Sequence, residues 1–289
     1  MKMIENYLLE ELVTFSECKT LAKTAARLRV TQPTVTRGMQ KLESELNVNL
    51  FDRQPNKITL TKTGILAARE ARQVLEANEQ FVTHIQNFAQ TQQTITVGSV
   101  APGPLVVADQ LAKSFELKID RTFVNPRDVL AALGHNQYTA CFTNHEIQTD
   151  QVESLYIGAE RLSVNLDQFM LLTGRRSLSF SELRGLSFIV LNDIGPWKQV
   201  IQDKIPGAKF LYQAEQNAMA ELTRYSTFPY FSTNINRYAP INDLDEHDRV
   251  TIPITDREAT MPFYVAYLKT QRARLQPVLK KLAELWPDE

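Results

Sequence analysis

Apolar positions recur at spacings of three and four through the first ninety residues, then give way to short apolar runs separated by polar turns. Leu8, Leu12 and Phe15 predict a helix across residues 5–18. Ala22, Ala25, Ala26 and Leu28 predict a second helix, and Val35, Met39 and Leu42 give a third its buried stripe. Residues 20–39 therefore read as two short helices around a turn closed by Val30. Thr31 is placed to cap the later helix and Pro33 to occupy its first turn, where a missing N–H is harmless. Leu46, Val48, Leu50 and Phe51 extend this core. From Asp52 the chain turns polar before Ile58 and Leu60 alternate, which predicts a small β-hairpin.

From Thr61 or Thr63 to about Ala89 the pattern is helical and free of Pro. Such a helix of roughly 28 residues spans about 42 Å. Gly64, Ala67, Ala71, Val74, Asn78, Phe81, Ile85 and Phe88 alternate at three and four, the spacing of a coiled-coil seam, in which one Asn restricts register. A surface helix of the following domain is the alternative. Residues 90–93, QTQQ, read as a polar linker.

Beyond the linker, strands and helices alternate, as in an α/β sheet. Strands are predicted at 94–100, 117–124, 138–142, 169–173, 187–191, 209–212, 229–232, 250–254 and 263–268. Helices are predicted at 104–115, 127–133, 197–204, 217–225 and 275–285. No internal repeat or low-complexity segment is present.

Charge sharpens the reading of the first domain. The 289 residues are nearly balanced at −1, yet Cys18–Leu42 carries six basic residues and no acidic one. Residues 1–72 hold twelve Lys/Arg against eight Asp/Glu, and residues 93–289 hold twenty against twenty-three. A local cationic stretch suits contact with phosphates, although a solvated basic helical pair would carry the same charge. With the turn and the cap, the polar face of Thr31, Gln32, Pro33, Thr34, Thr36, Arg37, Gln40 and Lys41 reads as the DNA-reading surface of a helix-turn-helix. Arg53 and Lys57 on the hairpin are candidate phosphate contacts, with solvent-facing charge as the alternative. Gly38 lies inside the reading helix at a cost of about 1 kcal/mol relative to Ala. Close backbone approach to DNA and simple tolerance both remain open for it.

The ordered series Phe15, Ala25-Ala26, Leu28, Val30-Thr31-Gln32-Pro33, Thr36-Arg37, Leu42-Glu43, Leu46, Leu50-Phe51, Arg53, Leu60-Thr61 and Gly64 resembles the amino-terminal signature of LysR-type transcriptional regulators. Lys19-Thr20 stands where Gly-Ser is usual, Thr36 for a usual Ser, and Asn47 for a usual Gly. The resemblance implies an α/β multidomain protein. Its parts are a winged helix-turn-helix at 1–61, mostly α, a dimerisation helix at 62–89, and a periplasmic-binding-protein-like effector domain at 93–289. That domain would be bilobal, with lobe I at about 93–162 and 269–289 and lobe II at about 163–268. It also implies promoter DNA as partner, a homodimer, for which the seam offers Ala67, Ala71, Val74, Asn78, Phe81, Ile85 and Phe88, further assembly of dimers into a tetramer, and an unidentified small-molecule effector.

In an open α/β sheet, ligands sit beyond the carboxyl ends of strands. That places Ser99, Val100, Ala101 and Pro102, Thr143 and Asn144, Asn192, Ile194 and Gly195, and Ser232 around the expected effector cleft. The usual Gly-x-Leu-Asp pattern is replaced by Gly134-His135-Asn136-Gln137-Tyr138, and the Gly-x-Gly-Ile stretch by Ser226–Tyr230. No Arg or Lys stands at these strand ends, so capture of a carboxylate is not written there.

Several chemistries are set aside. His135, Cys141 and His145 fall within eleven residues but flank an apolar strand, and read as ordinary loop and core residues rather than a metal site. Cys18 reads as a core or boundary thiol. Neither a Gly-rich phosphate loop nor a Gly-x-Ser-x-Gly elbow is present, so neither enzyme activity nor a cofactor is expected. No signal-peptide pattern and no run of about 18 apolar residues occurs, and with Cys18 and Cys141 read in different domains a reduced, cytoplasmic protein is expected. The reading is a sequence-specific DNA-binding regulator modulated by an effector. Its rivals are an architectural DNA binder whose second domain serves assembly only, and a ligand-binding protein or enzyme with a vestigial DNA-binding end.

Overall fold

The computed structural model describes residues 3–54, 57–238 and 249–287. The chain divides into two compact units, Met1–Gln86 and Asn87–Glu289. The first contains α1 (Asn6–Cys18), α2 (Leu21–Leu28), α3 (Gln32–Leu46), the hairpin strands β1 (Phe51–Gln54) and β2 (Lys57–Leu60), and most of α4 (Lys62–Gln93). Local chemistry sets the helix ends. Thr20 caps α2 by accepting from the Lys23 N–H, and Thr31 caps α3 by accepting from the Thr34 N–H. Lys19, Arg29 and Asn47 close α1, α2 and α3 in the left-handed conformation, with φ of 63°, 56° and 56°. The Gly usually found at positions 19 and 47 in the resembled signature would adopt that conformation without steric cost.

The core of this unit is built from part of the expected set, since Ala22, Ala26, Leu46 and Val48 are exposed. Leu8, Leu12 and Phe15 meet Ala25, Val35, Met39, Leu42, Leu50 and Phe51, all buried. The Phe15 and Phe51 rings pack edge to face, 5.5 Å apart. β1 and β2 pair antiparallel from Phe51↔Leu60 to Gln54↔Lys57; the expected turn at 55–56 lies outside the described residues. Thr61 caps α4, accepting from the Gly64 N–H at 3.0 Å. The helix then continues through Gln93, so QTQQ is its last turn and not a linker. Nothing in those four residues breaks a helix, and Thr91 is buried.

The second unit comprises β3 (Ile95–Ser99), α5 (Pro102–Asp109), β4 (Leu117–Ile119), α6 (Val129–Gly134), β5 (Ala140–Thr143), β6 (Val152–Asp167), β7 (Ser187–Leu191), α7 (Trp197–Lys204), β8 (Lys209–Gln213), α8 (Gln216–Tyr225), β9 (Tyr230–Thr233), β10 (Arg249–Pro253), β11 (Thr260–Leu268) and α9 (Arg272–Leu285). The sheet runs β4-β3-β5-β11-β6-β9-β7-β8, with β10 also on β6. β3 is parallel to β4 and β5, and β7 is parallel to β8 and β9. Antiparallel β11 and β6 join these two parallel ends.

Three sequence expectations are corrected here. The 16-residue β6 went unpredicted. Its alternation breaks at Gly158, beside the register shift at Phe263/Tyr264, and it carries Glu153 and Glu160 at buried positions. Residues 169–173 form no strand. They run into a 3₁₀ turn at Leu171–Gly174; Met170 and Leu172 pack against the core while Phe169 and Leu171 are exposed. The helix expected at 104–115 begins at Pro102 and stops at Asp109, and the strand expected at 117–124 stops at Ile119.

Candidate DNA-reading surface, seam and cavity

On α3, the residues expected to read DNA share one face. Thr31, Gln32, Pro33, Thr34, Arg37, Gln40 and Lys41 are exposed. Thr36 is half-buried and turns its hydroxyl back to the Gln32 carbonyl, 3.0 Å away, so that hydroxyl is engaged within the helix instead of reaching out. The cations differ in commitment. Lys41 pairs with Glu5 and donates to the Tyr7 hydroxyl at 3.2 Å. Arg53 pairs with Glu43 at 2.8 Å, and Glu43 also accepts the Leu50 and Phe51 N–H groups. Arg37 has no acidic partner among the described residues. Lys57 is exposed at the start of β2.

Gly38 serves the core and not DNA approach. It is buried, and a Cβ there would lie 1.7 Å from Glu11 Oε2. Glu11, on α1, is itself buried, and that oxygen has no hydrogen-bond partner. Burial, helped by the neighbouring charge of Glu10, pushes its carboxyl up to about 7. The absent side chain of Gly38 makes room for this carboxyl between α1 and α3.

The predicted seam on α4 splits in two. Gly64 faces its own hairpin, since a Cβ would stand 2.0 Å from the Leu50 carbonyl oxygen. Ala71 is buried in the same core and Ala67 packs against it, so these two positions are already covered within the chain. Beyond them Val74, Phe81, Ile85 and Phe88 are exposed, Phe81 by 63% and Ile85 by 57%, with Asn78 exposed among them. The apolar stripe available to another chain is therefore the later half of the expected seam.

In the second unit a cavity of about 200 Å³ opens between α5, β7, α7, α8 and β9. Of the residues expected at an effector cleft, Pro102, Ile194 and Ser232 line it. Ser99, Val100, Ala101, Thr143, Asn144, Asn192 and Gly195 do not. Ser99 spends its hydroxyl on the Ala101 carbonyl at 2.6 Å, and Thr143 on the His145 carbonyl at 2.7 Å. Gly195, at φ +58°, presses against Val100 and Ala101, where a Cβ would meet the Val100 oxygen at 2.8 Å. Asn144 follows β5, away from the lining, and exposed Asn192 donates its N–H to the Gln213 carbonyl. Gly195 thus packs on the Val100–Ala101 loop, while the Ser99 and Thr143 hydroxyls are engaged within their own loops.

The walls were missed from sequence. They come from strand and helix interiors, including Leu162, Ile189, Val190, Met219, Phe231 and Ile235, with Gln216, Thr233 and Asn236 as polar positions. Glu160 also lines the cavity and is 2% exposed. It accepts the Trp197 indole N–H at Oε2, while Oε1 has no partner. Burial pushes this carboxyl up to about 7, against the lowering effect of Trp197. In the sequence Glu160 stands beside Arg161, so Ile157–Leu162 gave no sign of a buried, unpaired acid. Cys141 is buried in β5, where burial pushes its thiol up to about 12. Among the described residues no three His, Cys, Asp or Glu side chains gather as a metal site.

Residues 7–65, which hold the helix-turn-helix, match the family described as bacterial regulatory helix-turn-helix protein, lysR family. The helix-turn-helix is thus of the LysR type. Similar curated proteins include the HTH-type transcriptional regulator BsdA of Bacillus subtilis, 28% identical over 147 residues, 49% of this chain and 51% of that protein. The chain thus matches about half the length of that relative. Among solved structures, Vibrio fischeri DarR in complex with DNA shares the fold at a TM-score of 0.58 and 16% identity, covering 98% of each chain. A full-length variant of Pseudomonas aeruginosa OxyR does so at 0.52 and 18%, covering 99% of this chain and 95% of that one. At these identities the likeness is one of fold. It gives this protein an N-terminal helix-turn-helix, a long helix and a C-terminal α/β unit, the elements described above.

Proposed function

We propose that this chain is a LysR-family transcriptional regulator that binds promoter DNA and is controlled by a small molecule in the cavity of its C-terminal unit. One observation carries the DNA reading: α3 presents Gln32, Thr34, Arg37 and Gln40 on one exposed face, with Arg37 free of any acidic partner among the described residues. Arg and Gln are the side chains that pair bidentately with base edges in the major groove. Thr31 and Pro33 sit at the N-terminus of the same helix. Lys41, Arg53 and Lys57 flank the face as phosphate contacts, the first two after exchanging an internal acid for a phosphate. Thr36 supports the face from behind. The winged helix-turn-helix occupies 1–61 and α4 supplies the dimer contact through Val74, Asn78, Phe81, Ile85 and Phe88; a tetramer forms from two such dimers.

The ligand works by linkage. A molecule bound more tightly in one arrangement of the dimer shifts the population toward it, and DNA bound to that arrangement shifts ligand affinity reciprocally. The cavity supports this reading over a purely architectural role, because an assembly-only domain has no need of a largely apolar hollow holding one buried carboxyl. DarR and OxyR share the fold that frames it. Among the described residues no helix is long and apolar enough to cross a membrane, which accords with the cytoplasmic site a promoter binder requires.

The test is a gel-shift titration at fixed salt on DNA selected from a random library by the full chain. Arg37→Ala should weaken binding by about 1–3 kcal/mol, roughly 5- to 150-fold, with the circular dichroism spectrum unchanged. Unchanged affinity would remove Arg37 from the reading surface.

A further inference from the structure

Taking the cavity as the ligand site, we infer that its ligand is a small apolar amine, with Glu160 as the counter-charge. The walls fix the body of such a molecule. Leu162, Ile189, Ile194, Met219, Phe231 and Ile235 enclose a space of about 200 Å³. Apolar cavities of about 150 Å³ admit benzene, so one ring with a short chain fits here.

Glu160 fixes the head group. Among the described residues it is the single charged one of the lining, and no Lys, Arg or His stands with it there. Its Oε2 takes the Trp197 indole N–H and its Oε1 takes nothing. Among the described residues the surrounding elements bring no titratable partner. α5 contributes Pro102, Gly103 and Val106; α7 contributes Trp197 and Ile201; β9 contributes Phe231, Ser232 and Thr233; and Met261 faces Glu160 across the β6–β11 ladder. An unpartnered acceptor in such surroundings lacks a donor, and an ionised one lacks a cation as well. A protonated amine supplies both in one group. An anionic ligand would instead set a second negative charge beside the first in a low-dielectric space. Gly103 keeps room at the open oxygen, since a Cβ there would come within 1.3 Å of Oε1.

The experiment is calorimetric titration of the full chain with 2-phenylethylamine, 2-phenylethanol and 3-phenylpropanoate, which share a ring and chain but differ in charge. At pH 8 the amine should bind at least about tenfold more tightly than the alcohol. At pH 6 it should bind about tenfold more weakly than at pH 8, releasing close to one proton, because a carboxyl held near 7 must first ionise. That proton release is read in the unaltered chain from the buffer dependence of the heat, so it does not hinge on any variant folding. Glu160→Gln should remove the preference for amine and its pH dependence while leaving the alcohol's affinity within about twofold. Tighter binding of the phenylpropanoate, or amine selectivity that survives in Glu160→Gln, overturns the inference. Alcohol binding without amine preference overturns the charge assignment alone and leaves the cavity a ligand site; silence from all three ligands at millimolar concentration overturns both.

Discussion

Replacing Glu11 with Gln should stabilise the N-terminal unit at neutral pH and barely change it in mild acid. The side chain keeps its shape and its place beside Gly38, so packing between α1 and α3 is preserved. What changes is the charge. In the unfolded chain this carboxyl titrates near 4.5, whereas burial raises it to about 7 in the folded protein. Between those values the folded state binds the proton that the unfolded state has lost. Stability contributed by this group is therefore complete below the lower value, declines as pH rises through the window, and levels off above the upper one. A difference of that size corresponds to up to about 3 kcal/mol, a large share of the stability of a small domain. Gln has no such dependence, so the gap between variant and parent should open from near zero at pH 4.5 to about 3 kcal/mol at pH 8. Tryptophan emission does not see this event, since both tryptophans, Trp197 and Trp286, lie in the other unit. Hydrogen exchange of peptides covering 6–18 and 32–46 does. The ratio of protection factors between variant and parent, taken at each pH, cancels the intrinsic exchange chemistry and should grow by roughly a hundredfold across the range. A ratio that stays constant with pH would show that Glu11 is hydrated in the folded state and that Gly38 is not its enclosure.

Two further substitutions test the first unit. Lys19→Gly should raise its stability by about 1 kcal/mol, read by the same exchange measurement, because Lys19 is exposed and held at φ 63° where an L side chain is strained; no gain would mean that contacts of the lysine stem offset the strain. Phe81→Glu with Ile85→Glu should halve the mass seen by light scattering, since both side chains stand on the uncovered stripe of α4; retention of the parent mass would place the subunit contact elsewhere.

How far the fold could be read from its letters depended on how local the determining contacts were. In the first unit each helix is fixed by its own stripe and cap. Leu8, Leu12 and Phe15, the cap at Thr31, and the trio Val35, Met39 and Leu42 all fall where the spacing put them. β7 and α7 were equally legible, one a solid apolar run and the other a compact amphipathic turn pair. β6 was not, because a glycine-linked register shift erases its period and two glutamates sit at buried positions. The exposed polar face of α3 needed only helical geometry. The cavity needed the interiors of β7, α8 and β9 brought together from distant stretches, and the Ser99 and Thr143 hydroxyls that strand-end reasoning favoured are engaged within their own loops. Gly38 and Gly64 show the same limit: the atoms that require each glycine, on Glu11 and Leu50, belong to other elements of the unit.

The uninterrupted course of α4 also bears on how this gene tolerates insertions and deletions. Connectors between folded parts usually accept changes in length readily. Here Ala68 and Ala71 are packed into the core on one helical face, and Phe81, Ile85 and Phe88 follow on the same unbroken helix. Each residue added or lost between Ala71 and Phe81 turns everything after it by about 100° against the anchored face. Single-codon changes there would carry the apolar stripe round the helix, whereas a change of seven residues, close to two full turns, would return it nearly to phase. Length variation among close homologues in this stretch should accordingly be quantised, in sevens and not in ones.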